Sequence, residues 1–205
     1  MVVSLKIGVV GIQGAISEHV NSMKKVFNKY QINGKIFIVK NKYDIKLIDA
    51  LIIPGGESTT ISNFLLQLGI FDEILLRINN KNLPIMGTCA GCILLSSELI
   101  NETKKISLLK AMNMKVIRNG FGRQRDSFEK KININQSDKP FNAVFIRAPK
   151  IENIWGNCYS ISKINNNIVF ARQDIYLALS FHPELTNDLR VHEYFLNIIR
   201  DHIKN

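Results

Sequence analysis

Three cysteines among 205 residues, an odd number without a repeating spacing, are too few and too irregular for a disulfide framework or a cysteine-based zinc site. Apolar runs long enough to cross a membrane are also missing, and residues 1–10 run straight into a strand instead of a basic, cleavable leader. An intracellular, cytoplasmic protein with no membrane partner is expected. Neither a linker rich in Pro, Gly or Ser nor an internal repeat interrupts the chain, so residues 1–205 are expected to form one domain. Acidic residues are scarce: 17 Asp and Glu against 27 Lys and Arg leave a formal net charge of +10. Such a balance suits phosphate backbones. The lysines, however, are scattered, with only pairs such as Lys24-Lys25, Lys104-Lys105 and Lys130-Lys131, and no stretch interleaves basic residues with stacking aromatics. Nucleic acid is therefore not an expected partner; an acidic protein partner or phosphorylated metabolites remain compatible with the charge.

What is present reads as an α/β protein. Residues 6–10 form a continuous apolar strand ending in Gly11-Ile12-Gln13-Gly14, and Ile16, Val20, Met23 and Phe27 follow at helical spacing. No third glycine completes a dinucleotide fingerprint. Strands at 36–39, 50–53 and 84–87 alternate with helices running through Ile61 to Leu68, over 71–78 and over 92–98. Beyond about residue 101 the pattern turns to short strands at 115–117, 131–134, 143–146, 160–164, 168–172 and 176–181, with a hairpin turn at 165–167. A final helix over about 188–203 carries Leu189, Phe195, Leu196 and Ile199 toward the sheet. The expected fold is a three-layer, open, mostly parallel sheet with helices on both faces and extra antiparallel strands in the C-terminal half.

Three stretches carry chemistry. Gly87-Thr88-Cys89-Ala90-Gly91 has the form of a nucleophile elbow, in which flanking small residues let a sharp strand-to-helix turn hold the central side chain strained and exposed. A sulfur at a helix N-terminus is favoured as thiolate; the plainer reading of Cys89 is a small buried core residue. Pro54-Gly55-Gly56-Glu57-Ser58-Thr59-Thr60 follows a buried strand, so its backbone N–H groups can face an anion or developing oxyanion, with Ser58 or Thr59 capping the next helix. A plain β-to-α turn fits the same residues. In Ser180-Phe181-His182-Pro183-Glu184-Leu185, His182 sits at the end of the last strand, with Glu184 in a proline-fixed relation to it. A histidine oriented by a carboxylate can take a thiol proton and return it to a leaving amine; a turn or capping histidine is the alternative. His19, His192 and His202 lack such a context and are assigned to surface or packing.

Taken together, these stretches resemble class I, triad-type glutamine amidotransferases. Gly8-Val9-Val10-Gly11-Ile12-Gln13-Gly14-Ala15, Phe121-Gly122-Arg123-Gln124-x-Asp126-Ser127-Phe128-Glu129 and Val144-Phe145-Ile146-Arg147-Ala148-Pro149 narrow the resemblance to the glutaminase subunits of pyridoxal 5'-phosphate synthases. The resemblance runs from Lys6 to about Phe195. It implies hydrolysis of L-glutamine to glutamate and ammonia by Cys89, His182 and Glu184 through a glutamyl thioester, with Gly55, Gly56 and Ala90 forming the oxyanion hole. Gly56, Glu57, Ser58, Arg118, Ile146 and Arg147 would contact the substrate; without the resemblance, both arginines read as surface ion-pair residues. Gln13 would lie near the partner interface and help to set the oxyanion loop. The implied partner is a (β/α)8 synthase subunit that receives the ammonia in a large hetero-oligomer of 12 + 12 subunits; no cofactor or metal is expected in this subunit.

Two positions depart from the family pattern. Cys92 occupies a site expected to be aliphatic and is read as a small buried hydrophobe, redox pairing with Cys89 being the alternative. The segment from Asn101 to Met112 lacks a glycine before its leucines. Other classes remain as alternatives. A subunit feeding ammonia to a different synthase would share the triad but not the two stretches at 121–129 and 144–149. A non-catalytic scaffold relative would be expected to have lost part of the triad, and a Cys-elbow peptidase relative would not require Pro-Gly-Gly-Glu-Ser.

Overall fold

The computed structural model describes residues 4–100, 106–121, 127–134 and 139–204. The first half runs β1 (Leu5–Val10), α1 (Ile16–Lys29), β2 (Gly34–Val39), α2 (Lys42–Ile45), β3 (Ala50–Ile53), α3 (Ser58–Gln67), α4 (Ile70–Asn79), β4 (Ile85–Thr88) and α5 (Ala90–Leu95). The second half runs β5 (Ser96–Ile100), β6 (Met112–Ile117), β7 (Phe128–Ile132), β8 (Phe141–Phe145), β9 (Lys150–Ile154), β10 (Tyr159–Ile164), β11 (Asn167–Gln173), β12 (Tyr176–Leu179) and α6 (Arg190–Lys204).

One sheet, ordered β2-β1-β3-β4-β12-β11-β9-β6-β5 with β10 beside β11, crosses the molecule. From β2 to β12 every pair is parallel, whereas β12-β11, β11-β9 and β9-β6 are antiparallel. The expected fold class is thus observed. Side chains alternate between the sheet's two faces. Leu51, Ile53, Ile85 and Ala178 point into a core closed by α2 to α5, while Ala50, Ile52, Met86, Leu177 and Leu179 point into a second core closed by α1 and α6. Both faces of the central strands are covered, which is why they read as unbroken apolar runs rather than as alternating ones. The β7–β8 ribbon packs Phe141, Ala143 and Phe145 into the second core, where Phe128 stacks on Phe145 at 4.6 Å. No helix among the described residues is long and apolar enough to cross a membrane.

Several local expectations need correction. The helix after Cys89 spans Ala90–Leu95, not 92–98. Ser96 turns extended, its Oγ donates to Ile93 O at 2.8 Å, and the chain continues as β5 in parallel pairing with β6. That pairing is a long-range contact which the apolar run at 92–95 does not report. The short α2 and β9 were also not expected; α2 is held by an Asn41–Asp44 capping box. Glu57, not Ser58 or Thr59, caps α3. The hairpin between β10 and β11 turns at Asn165, in the left-handed region at φ 52°, as expected of an asparagine. Residues 101–105 of the Asn101–Met112 segment lie outside the described residues, as do 122–126 of the Phe121–Glu129 stretch.

Candidate active site

Parallel strands leave their C-terminal ends at one edge of the sheet, and four of them bring side chains to one place there. At the end of β4 the chain turns into α5 through Cys89, whose φ of 49° and ψ of −102° are strained for a residue with a Cβ. The flanking glycines permit the turn by close approach. A Cβ on Gly87 would stand 2.5 Å from the Gly91 carbonyl, and one on Gly91 only 2.2 Å from Ile53 O. The Cys89 N–H donates to Leu179 O at 2.8 Å, which ties the elbow to β12, and its sulfur lies 3.7 Å from Ile146 O. Cys89 is nearly buried, yet it lines the cavity described below.

The chain leaving β12 places His182 opposite. Its N–H donates to Val144 O at 2.8 Å, and its Nδ1 lies 2.7 Å from Glu184 Oε1. With Nδ1 committed to the carboxylate, the other ring nitrogen is left for the thiol of Cys89, which lines the same cavity. Burial pulls the imidazole toward neutrality, but the neighbouring Cys89 sulfur and Glu184 carboxylate outweigh it and push its pKa up to about 10. Burial also disfavours the Glu184 carboxylate, yet the imidazoles beside it hold it below its ordinary range.

The loop leaving β3 covers this pair. A Cβ on Gly55 would meet His182 Cε1 at 2.4 Å and Cys89 Cβ at 3.1 Å, so only glycine fits with the imidazole in place. The loop is held from the first β-to-α turn: Gln13 Oε1 accepts from Glu57 N at 2.9 Å, and a Cβ on Gly14 would overlap Gly55 O. Ala90 opens α5, so its N–H has no acceptor within the helix.

A cavity of about 210 Å³ opens over these groups. Gly55, Gly56, Cys89, Ala90 and His182 form its floor, and Glu57, Ser58, Arg118, Ile146 and Arg147 also line it. Glu184, which is buried, and Gln13, which is exposed, are not part of the lining. The Glu57 carboxylate accepts from Thr60 N at 2.6 Å, Thr60 Oγ1 at 2.8 Å and Thr59 N at 3.2 Å, and pairs with Arg118. Partial burial opposes its ionisation, but these donors prevail and hold its pKa at about 2. Ser58 is buried, with an Oγ that finds no protein partner among the described residues. Arg147, exposed at the rim, has a left-handed φ of 46°. Cys92 is fully buried one turn beyond the elbow, and burial pushes its thiol pKa up, as suits the small-hydrophobe reading.

Because the carboxyl pKa of Glu57 is depressed on folding, its contribution to stability is present above its unfolded pKa of about 4.5 and fades as pH falls toward about 2. Glu57→Gln is expected to flatten the decline in stability across that window. Denaturant midpoints measured from pH 5 to 2 check this; parallel wild-type and variant curves would refute it.

His19, assigned to surface or packing, is packed: its ring is fully buried, with Nε2 3.3 Å from Glu184 Oε2, a place beside the site that was not expected. A signal existed: His19 lies at helical spacing from Met23, Val26 and Phe27, the face that α1 buries.

Arranged this way, a thiol, an imidazole oriented by a carboxylate, and a glycine loop with N–H groups are equipped for acyl transfer through a thioester. A model of the SNO glutamine amidotransferase family matches residues 9–201. The pyridoxal 5'-phosphate synthase subunit PdxT of Staphylothermus marinus is 48% identical over 204 residues, covering 95% of this chain and 98% of that protein. The protein of the same name from Saccharolobus islandicus (strain Y.G.57.14) is 45% identical over 201 residues, covering 96% of this chain and 100% of its own. Among solved structures, one described as a glutamine amidotransferase superposes with a TM-score of 0.85 at 37% identity, covering 95% of this chain and 98% of that one. A Thermotoga maritima glutamine amidotransferase, with a TM-score of 0.62 and 12% identity, shares the fold over 98% of this chain and 85% of its own. The chain belongs to the SNO glutamine amidotransferase family.

Proposed function

We propose that this chain, as a single glutamine amidotransferase domain, is the cytoplasmic glutaminase subunit of a pyridoxal 5'-phosphate synthase, with Cys89, His182 and Glu184 as its catalytic residues. The observation that carries the chemistry is the convergence of the strained Cys89 elbow and the His182–Glu184 pair beneath the Gly55-Gly56 loop. The names of the relatives support the pathway.

In this reading His182 takes the proton from Cys89, and Sγ attacks the side-chain carbonyl carbon of L-glutamine. The oxyanion forms against the N–H of Ala90 and the Gly55-Gly56 loop; losing one such donor typically raises the barrier by about 3 to 4 kcal/mol. When the tetrahedral intermediate collapses, the C–N bond breaks, His182 protonates the departing ammonia, and a glutamyl thioester remains. Water, deprotonated by His182, then releases glutamate and restores the thiol. Glu57 and Arg118 present opposite charges at the cavity wall, matching the α-ammonium and α-carboxylate of glutamine. Ser58, Ile146 and Arg147 complete the substrate contacts. Gln13 holds the oxyanion loop through Glu57 N and faces the interface with a (β/α)8 synthase partner, 12 + 12 in the full assembly.

The test is transfer of nitrogen. With amide-15N glutamine, a cognate synthase, and pentose and triose phosphates, the label is expected in the ring nitrogen of pyridoxal 5'-phosphate, and glutamate release is expected to rise several-fold over the chain alone. Glutamate release indifferent to the synthase, with no label in the ring, would point to another amidotransferase partner.

A further inference from the structure

Two fully buried histidines lie behind the site and outside the cavity. His19 comes from α1 and His192 from α6, 173 residues apart, and their rings meet with His19 Nδ1 3.2 Å from His192 Nε2. On its other side, His19 Nε2 lies 3.3 Å from Thr88 Oγ1 and 3.3 Å from Glu184 Oε2. Glu184 is served unequally. Oε1 holds His182, but Oε2, though inaccessible, finds no hydrogen-bond partner among the described residues, His19 Nε2 approaching it without being aligned as one. A buried carboxylate oxygen without a donor is destabilising, and two imidazoles at a helix–helix contact displace apolar packing.

Proton placement follows from what each nitrogen faces. Burial holds both histidines below their ordinary pKa, His192 at about 3, so the positive charge beside Glu184 belongs to His182. Two neutral rings sharing one contact have two possible arrangements. If His19 donated to His192, a bare Nε2 lone pair would face Glu184 Oε2, with the Thr88 hydroxyl as its available donor, and His192 would bury an Nδ1–H that has no partner among the described residues. If His192 Nε2–H donates to His19 Nδ1, His19 carries its proton on Nε2, toward Glu184 and Thr88, and the atom left over is a bare acceptor. An orphaned donor and two opposed lone pairs are the worse combination, so the second arrangement prevails.

We propose that His19 is a positioning residue of the triad: its Nε2–H anchors Glu184 Oε2 so that Oε1 stays on His182, and His192 fixes the His19 tautomer. This rests on the triad reading above. The titratable and charged groups facing His19 are Glu184 and His182 from the segment after β12, His192 from α6 and Glu18 from its own helix.

The test uses the chain docked on its synthase. In His19→Leu, kcat for glutamate release is expected to fall roughly 10- to 100-fold, the scale of one hydrogen bond to a carboxylate, with KM unchanged. The acid limb of kcat/KM should move to higher pH, because Glu184 loses a donor that favours its ionised form. His19→Gln, whose amide N–H reaches about as far as Nε2, should restore most of kcat and the wild-type acid limb. His192→Leu, which touches neither triad nor substrate, should lower kcat several-fold. A lowered unfolding temperature with unchanged kcat and acid limb in His19→Leu would show a packing role only and overturn the proposal, as would a His19→Gln variant no better than His19→Leu. Should His19→Leu fail to fold, His192→Leu decides, and wild-type kcat in it overturns the proposal. Full turnover by Cys89→Ala would instead remove the triad reading itself.

Discussion

Cys89→Ala is expected to lower glutamate release by about 10⁴- to 10⁶-fold, the range seen when a nucleophile acting as one unit with its base is removed. The residual rate would come from binding and the oxyanion donors alone. No other described cysteine can substitute, since Cys92 is fully buried and Cys158 lies outside the cavity lining. Stability separates this loss from misfolding. Glycine is ordinarily about 0.5–1 kcal/mol less favourable than alanine within a helix or strand. Here φ is 49°, where a Cβ is strained by about 1–2 kcal/mol, so Cys89→Gly is expected to be inactive yet at least as stable as Cys89→Ala. Kinetics on the synthase-bound enzyme and denaturant midpoints of the free chain read the two effects. An active Cys89→Ala would end the covalent mechanism; a Gly variant clearly less stable than the Ala variant would end the account of a strained elbow.

The second large effect is expected at Gly55, through a single methyl group. In Gly55→Ala the new Cβ would stand 2.4 Å from His182 Cε1, so the imidazole must swing away from Cys89 or the loop must lift. Misplacing a reacting group by about 1 Å costs about 10²-fold, and losing an oxyanion donor costs about 10²- to 10³-fold. A fall in kcat of about 10³-fold is therefore expected, with a loss of stability as well, since the imidazole that must give way is buried and held by Glu184 at 2.7 Å. Rapid-quench measurement of thioester formation distinguishes a disabled acylation step from slow deacylation. Near-wild-type kcat would mean that the loop does not close over His182 as its geometry indicates.

Much of the site was legible because its parts are local. Cys89 with its flanking glycines, Gly55-Gly56, and His182 two residues from Glu184 each carry their geometry within a few residues, where small side chains or a proline restrict the turn. The apolar strands of the first half were legible for a similar reason: both faces of the parallel sheet are covered, and the pattern shows it. Glu57 was less legible. Its place among the cavity residues came from resemblance, while its cap on α3 and its pairing with Arg118, 61 residues away, depend on how β6 ends beside the β3 loop.

By itself, then, the sequence determined the order of the strands and of the longer helices in the first half, though not the short α2, and the turns that carry Gly55-Gly56, Cys89 and His182, with the chemistry such groups can perform. Each of these depends on periodicity, backbone restriction and residue type over short spans. Tertiary structure alone decided that the chain after Leu95 becomes a strand, because β5 exists only by pairing with β6. It also decided that His19 and His192 meet behind Glu184, because α1 and α6 lie on the same face of the sheet. Contacts between residues far apart in the chain depend on loop closure and burial, which no local pattern encodes.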